Sequence, residues 1–239
     1  MFTKEGKPDY LIFGAVIILL GLGLVMVFSA SYVMGLSQFG NPYFYFQRQA
    51  VFAAVGLIFM FLLMRLDYHV FKPLALPGLV VSYVLLVVVL FVGRDASGVA
   101  RWIRVFGFNL QPSELTKLIM VNYAAVYLST KRENTRKFFQ GLLPLLVLTG
   151  IQFVLILLEP DFGTGVALLF TVMLMIFAGG AHLGQLVLVG LMSVPALVYL
   201  VFTKEYRMRR FFAFLNPWAD PTNTGWNVIQ SLLAIGSGG

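Results

Sequence analysis

The chain reads as a succession of long apolar stretches divided by short polar ones. Tyr10 to Gln47 carries no Asp, Glu, Lys or Arg, and its opening segment YLIFGAVIILLGLGLVMVFS suffices to cross a bilayer at about 1.5 Å per residue. A second span runs from Gln49 to Met64, with Arg48 and Arg65 placed to snorkel at its ends. A third covers about Leu74 to Val92, a fourth about Leu115 to Leu128 with Lys117 inside it, and a fifth about Gly141 to Leu158 with Pro144 and Gln152 inside it. The uncharged stretch Phe162 to Thr203 is long enough for two crossings, and the small-residue turn Ala178-Gly179-Gly180-Ala181-His182 divides it into spans over 162–178 and 183–202. The pattern predicts an all-α, polytopic helical membrane protein with seven transmembrane helices over residues 1–202, followed by a polar, basic segment over 203–239 that holds a short apolar stretch, VIQSLLAI. The first apolar run is too long for a cleavable signal peptide, and more spans follow it rather than a soluble domain.

Composition agrees. Of 239 residues, 59% are hydrophobic and only 11% charged, with no cysteine. A soluble domain carries about a quarter charged residues. A disulfide scaffold and a disordered chain are therefore excluded along with an ordinary soluble fold.

The net charge of +7 becomes informative when it is placed by position. Alternating crossings put Lys4, Lys7, Arg65, Lys72, Lys131, Arg132, Arg136 and Lys137 on the side of the amino terminus. Arg48, Arg94, Arg101, Arg104, Lys204, Arg207, Arg209 and Arg210 fall on the other, so the cations divide evenly. The dense short loop from Lys131 to Lys137 favours a cytoplasmic amino terminus. The opposite face is then unusually rich in arginine, the side chain that grips phosphate with two donors at once.

Three segments on that face carry candidate chemistry: Ala100-Arg101-Trp102-Ile103-Arg104 with Gln111-Pro112-Ser113-Glu114; Glu159-Pro160-Asp161-Phe162-Gly163-Thr164-Gly165; and Tyr206-Arg207-Met208-Arg209-Arg210 leading to Asn216-Pro217-Trp218-Ala219-Asp220-Pro221 and Gly225-Trp226. The motifs RWI, QPSE, PDFGTG and YRMRRFFAFLNPWADP, with IQSLLAIGSGG after them, resemble in order and spacing those of the SEDS family (shape, elongation, division and sporulation), typified by FtsW, RodA and SpoVE. The wording NPW-x-DP is closer to the FtsW and SpoVE branch. The resemblance implies a peptidoglycan glycosyltransferase of the bacterial cytoplasmic membrane. Such an enzyme polymerises lipid II, an undecaprenyl-pyrophosphate-linked disaccharide pentapeptide, on the outer face beside a class B penicillin-binding protein. It also implies about ten spans, so a chain with seven reads as truncated within the outer loop. Glu159 stands where the family usually has Gln.

Transfer from a pyrophosphate donor needs a base for the acceptor hydroxyl and cations for the leaving group. Asp220, between prolines in the outer loop, is the candidate base; on turn chemistry alone it reads as an Asp-Pro turn, and the resemblance reverses that preference. Arg207, Arg209 and Arg210, and likewise Arg101 and Arg104, are candidate pyrophosphate clamps, or else contacts for anionic lipid head groups. Trp102 is expected to stack on a sugar or isoprenoid, or to anchor at the interface. Glu114 and Lys117, at i and i+3, form a structural ion pair or line a polar cavity. Asp161 caps span six or meets substrate. His69 and His182 stand apart, so no dedicated metal set is present, although a divalent cation could assist pyrophosphate departure. Gly21, Gly23 and Gly179-Gly180 read as close helix contacts or turns. Charge interleaved with spans argues against nucleic acid, and membrane lipids are the surroundings. A flippase for lipid-linked precursors and a non-catalytic scaffold for a penicillin-binding protein are the rival readings.

Overall fold

The computed structural model describes residues 9–92, 101–105, 108–131, 133 and 135–237, and the backbone alone at 104, 105 and 108. Of the residues named above, Lys4, Lys7, Arg94, Ala100 and Arg132 lie outside that set, as does the side chain of Arg104. The described residues contain nine α-helices and one small antiparallel hairpin, and the chain divides into two units at Pro77/Gly78.

In the first unit, α1 (Tyr10–Phe39) and α2 (Phe44–Met64) pack on each other. Asp9 caps α1 by accepting from the backbone N–H groups of Leu11 and Ile12. α1 does not stop after its first twenty residues as a single crossing requires; it continues through Ser29-Ala30-Ser31 because nothing there breaks it. It ends at Gly40, whose φ of +65° is left-handed and whose N–H reaches the Leu36 carbonyl. The chain then doubles back over Gly35, where a Cβ would lie 2.8 Å from the Asn41 carbonyl oxygen. Gly21 and Gly23, expected at a close helix contact, have nothing within 4 Å of a Cβ position. A glycine permits close approach without requiring it, and here the backbone spacing is set elsewhere.

α3 (Phe71–Val92) crosses the division at Pro77, and its second half belongs to the other unit. There the core is built by stripes spaced mostly three or four residues apart. α4 (Pro112–Thr130) buries Ser113, Thr116, Met120, Ala124 and Leu128; α6 (Phe162–Ala178) buries Gly165, Leu168, Val172 and Ile176. Between them α5 (Leu143–Leu158), entered through a π turn over Phe138–Leu142, contributes Leu145, Thr149, Gln152, Phe153 and Ile156. Close packing, not a hydrophobic gradient, holds helices together in lipid. Gly165 shows it: a Cβ there would sit 2.8 Å from the Phe153 ring. Gln152 donates from Nε2 to Ser82 at 3.0 Å and ties α5 to α3, while its buried Oε1 has no partner among the described residues.

α7 (Leu183–Phe202) follows the expected turn, where Gly180 adopts φ +87°. Five of the helical stretches are long and apolar enough to cross a membrane: Tyr10–Phe39, Phe44–Met64, Tyr68–Val92, Phe138–Leu158 and Leu183–Phe202. α6 is apolar but has 17 residues, and α4 is made less apolar by Glu114 and Lys117; both pack among the spans. Where the sequence predicts only polar loops, two elements appear. The hairpin pairs β1 (Ile103–Val105) with β2 (Phe108–Leu110), and α8 (Glu205–Leu215) follows α7 directly. α9 (Trp226–Gly236) takes up the last apolar stretch.

Candidate functional site

The three motif segments converge at the α5–α6 turn. Arg101, just before β1, donates from Nε to the Glu159 carbonyl at 2.9 Å and from Nη2 to the Pro160 carbonyl. A guanidinium at that place also meets the negative end of the α5 dipole. Gln111, just after β2, donates from Nε2 to Asp161 Oδ2 at 2.8 Å and to Ser113 Oγ at 3.0 Å. The other oxygen of Asp161 accepts from the Thr164 N–H at 3.2 Å and so caps α6. From α8, the Tyr206 hydroxyl reaches the Pro160 carbonyl at 3.2 Å. Gln111 and Tyr206 lie within the expected motifs but were not expected as site residues; their polar heads beside Pro-Asp were the available signal.

Four expected residues therefore share one cleft of about 300 Å³: Arg101, Asp161, Arg207 and Arg210, with Phe162 and Tyr206 among its walls. The three arginines are not equivalent. Arg207 is only 9% exposed, donates to the Leu200 carbonyl and the Tyr206 hydroxyl, both at 2.9 Å, and lies over the rings of Phe162 and Tyr206. It fastens α8 to the end of α7. Arg210 is exposed, and no described residue hydrogen-bonds it, so its full donor set is open to an anion.

Asp220 is elsewhere. It borders a separate pocket of about 470 Å³ with Met208, Arg209, Phe212, Asn216 and Thr224. Residues 206, 207, 210 and 211 point to the cleft and 208, 209 and 212 to this pocket, so α8 is the wall between them. Asp220 accepts from the Asn223 amide at 3.1 Å, and from the Thr224 N–H and hydroxyl at 3.3 and 3.0 Å. These bonds hold its carboxyl below the usual carboxylate range. Arg209 pairs with Glu205 at 2.6 Å, and Asp220 adds to the field that raises its pKa. Gly225 closes the loop: its N–H reaches the Asp220 carbonyl at 2.9 Å, and a Cβ would fall 2.0 Å from the Pro217 carbonyl oxygen.

Glu114 and Lys117 form the ion pair that their spacing allows, at 2.7 Å and partly exposed. Trp102 is 43% exposed beside Arg101. Glu159, which stands between two expected spans, is fully buried, and neither carboxyl oxygen has a hydrogen-bond partner among the described residues. Burial first, and the neighbouring Asp161 second, push its pKa up to about 8 against the pull of Arg101. Among the described residues no group of three or more His, Cys, Asp or Glu is placed to hold a metal. A larger groove of about 820 Å³ at the far ends of α4 and α6 contains none of the candidate residues.

Residues 9–239 match the sequence profile of the Cell cycle protein family FTSW_RODA_SPOVE. The chain belongs to this family. It is 40% identical over 233 residues to the Probable peptidoglycan glycosyltransferase FtsW of Geobacter sp. (strain M18), covering 97% of this chain and 64% of that protein. To Stage V sporulation protein E of Bacillus subtilis (strain 168) it is 39% identical, covering all of this chain and 66% of that one. Among solved structures, a chain from a peptidoglycan synthase complex, solved for the structural coordination of polymerization and crosslinking, matches with a TM-score of 0.66 and 34% identity over 91% of this chain and 66% of its own. The Thermus thermophilus rod shape determining protein RodA matches with a TM-score of 0.56 and 34% identity, over 75% of this chain and 58% of its own. The family chain in hand thus spans just under two thirds of the curated relatives it matches.

Proposed function

We propose that this chain is part of a peptidoglycan glycosyltransferase that polymerises lipid II in the bacterial cytoplasmic membrane. The observation that carries the reading is the convergence of Arg101, Arg207 and Arg210 on one cleft, across α8 from the Asp220 pocket. The names of the FtsW relatives supply the reaction class. In this reading the amino terminus is cytoplasmic, residues 1–202 form the membrane region, and 203–239 belong to the outer loop.

The donor pyrophosphate sits in the cleft, where Arg210 offers free donors and Arg101 and Arg207 supply fixed positive charge. These cations neutralise the charge that develops on the leaving group as the glycosidic bond breaks. The acceptor hydroxyl attacks the anomeric carbon with inversion, in a single displacement from an α-linked pyrophosphate to a β-linked glycan. Asp220 accepts its proton, which requires the acceptor sugar to enter from the Asp220 pocket and bring its hydroxyl past α8 to the donor in the cleft. A carboxylate of lowered pKa is a weak base, so transfer falls late, when bond formation has made the hydroxyl acidic. Trp102 stacks on sugar or isoprenoid, and the Glu114–Lys117 pair and Asp161 shape the polar wall. A class B penicillin-binding protein is the partner, in keeping with the crosslinking named for the matched synthase complex.

The test is a lipid II polymerisation assay on the full-length protein with its partner, wild type against Asp220→Asn. Polymer from wild type and none from the variant is expected. Lipid II that merely changes leaflet, without polymer, would replace this reading with a flippase.

A further inference from the structure

Among the described residues Glu159 is the one buried acid that the proposed reaction leaves without a task. It lies just past the end of α5, is fully inaccessible, and neither side-chain oxygen has a hydrogen-bond partner, while its own backbone carbonyl receives Arg101 Nε at 2.9 Å. A carboxylate in that position would be desolvated, would face the Asp161 carboxylate, and would sit at the negative end of a helix dipole. Among the described residues the other polar groups around the turn have partners, Arg210 excepted. Gln111 is held by Asp161 and Ser113, Tyr206 by Pro160, and Arg207 by Leu200 and Tyr206. Glu114 and Lys117 on α4 hold each other, and Arg210 lines the cleft from α8. Among the described residues Arg101 is the cation whose charge acts on Glu159, and Arg101 is also a wall of the cleft.

We propose that Glu159 is a positioning residue for Arg101: as the neutral acid it leaves the guanidinium on the two turn carbonyls at the cleft wall, and as the carboxylate it takes the guanidinium for itself. The ionised state is the one a buried, donorless carboxylate cannot sustain without a cation, and Arg101 moves to meet it because backbone carbonyls hold a guanidinium less tightly than a carboxylate does. The direction of the Glu159 shift, which burial sets, agrees. Raising the pH therefore withdraws one of three arginines from the cleft. The consequence for pyrophosphate rests on the function proposed above; the proton and the Arg101 movement do not.

The experiment uses the full-length protein in lipid nanodiscs. Infrared difference spectra between about pH 6 and about pH 10 should show a protonated-carboxyl band that disappears with rising pH and is missing in Glu159→Gln. Structures at the same two pH values should show Arg101 on the 159 and 160 carbonyls only at the lower one. Binding of inorganic pyrophosphate should weaken about tenfold more across that range in wild type than in Glu159→Gln, the loss of one charge-assisted contact. Absence of the band, or Arg101 on the same carbonyls at both pH values, overturns the proposal. The band and the wild-type structures decide it even if the variant fails to fold. If wild type binds no pyrophosphate at either pH, the donor-site reading falls, while the band and the Arg101 position still decide whether Glu159 steers that side chain.

Discussion

Gln111 and Asp161, fifty positions apart in sequence, meet through a 2.8 Å hydrogen bond that joins the end of the β-hairpin to the cap of α6. The same carboxylate thus starts a helix with one oxygen and anchors a hairpin with the other. Gln111→Leu should cost on the order of 2 kcal/mol, as a hydrogen bond to a charged acceptor does, and should lower lipid II turnover by moving Arg101. Thermal unfolding in detergent alongside the polymerisation assay checks both; an unchanged melting temperature would refute the anchoring role.

Arg207 and Arg210 should separate cleanly. Arg207→Ala removes two hydrogen bonds and two ring contacts, so it should destabilise by on the order of 2 kcal/mol. Arg210→Ala should leave the melting temperature in place and weaken pyrophosphate binding about tenfold. Equal effects of the two variants on stability would contradict the different roles assigned here.

Asp220→Asn keeps the size of the side chain and one oxygen for Thr224, so the loop should hold. Polymerisation should drop by a factor of about 100 to 10,000, the usual span for loss of a general base. The carboxyl pKa is lowered by its loop, so its contribution to loop stability is present above the unfolded value of 3.8 and is lost as pH falls through the lower folded value. Activity surviving in the variant at wild-type level rules Asp220 out as the base.

Gly225→Ala tests whether loop shape matters apart from charge. With the Pro217 oxygen 2.0 Å from the new Cβ, the Asp220 loop must open. We expect activity to fall as far as in Asp220→Asn, with helical content by circular dichroism unchanged. A fully active Gly225→Ala protein would show that the loop geometry is not needed.

Stability should also depend on pH through Glu159. Its folded pKa, about 8, lies above the ordinary 4.5, so its share of stability is full below about pH 4.5 and is lost as pH rises to about 8. Melting temperatures across this window should decline in wild type relative to Glu159→Gln. Parallel curves for the two proteins would mean that the acid is not protonated in the fold.

The seven apolar stretches were legible because lipid allows few ways to end a span. Apolar runs marked α1 to α7, the fourth with Lys117 inside it, and Gly179-Gly180 marked the turn before α7. Asp161 as a cap was legible for the same reason, a polar side chain before an apolar run. The hairpin at 103–110 was not, because three-residue strands are too short to display a period. Neither was α8, whose arginines and phenylalanines read locally as a polar connection until the two pockets give each face a destination. The burial of Glu159 was illegible for a different reason. It is a matter of tertiary packing, and even the contact that Arg101 makes with the Glu159 carbonyl comes from 58 positions earlier in sequence, which no local pattern encodes. The motifs located the candidate residues, but their order could not show that Asp220 and the Arg101 cleft lie on opposite sides of one helix.

That shared wall limits how the region can change. Successive residues of a helix are turned by about 100°, so inserting or deleting one residue between Tyr206 and Phe212 would turn the residues after the change relative to those before it, and the cleft side and the Asp220 side could not both keep their places. The loops at either end can absorb a change of length; the helix cannot. Over these few residues, spacing is as much a part of the chemistry as the side chains are.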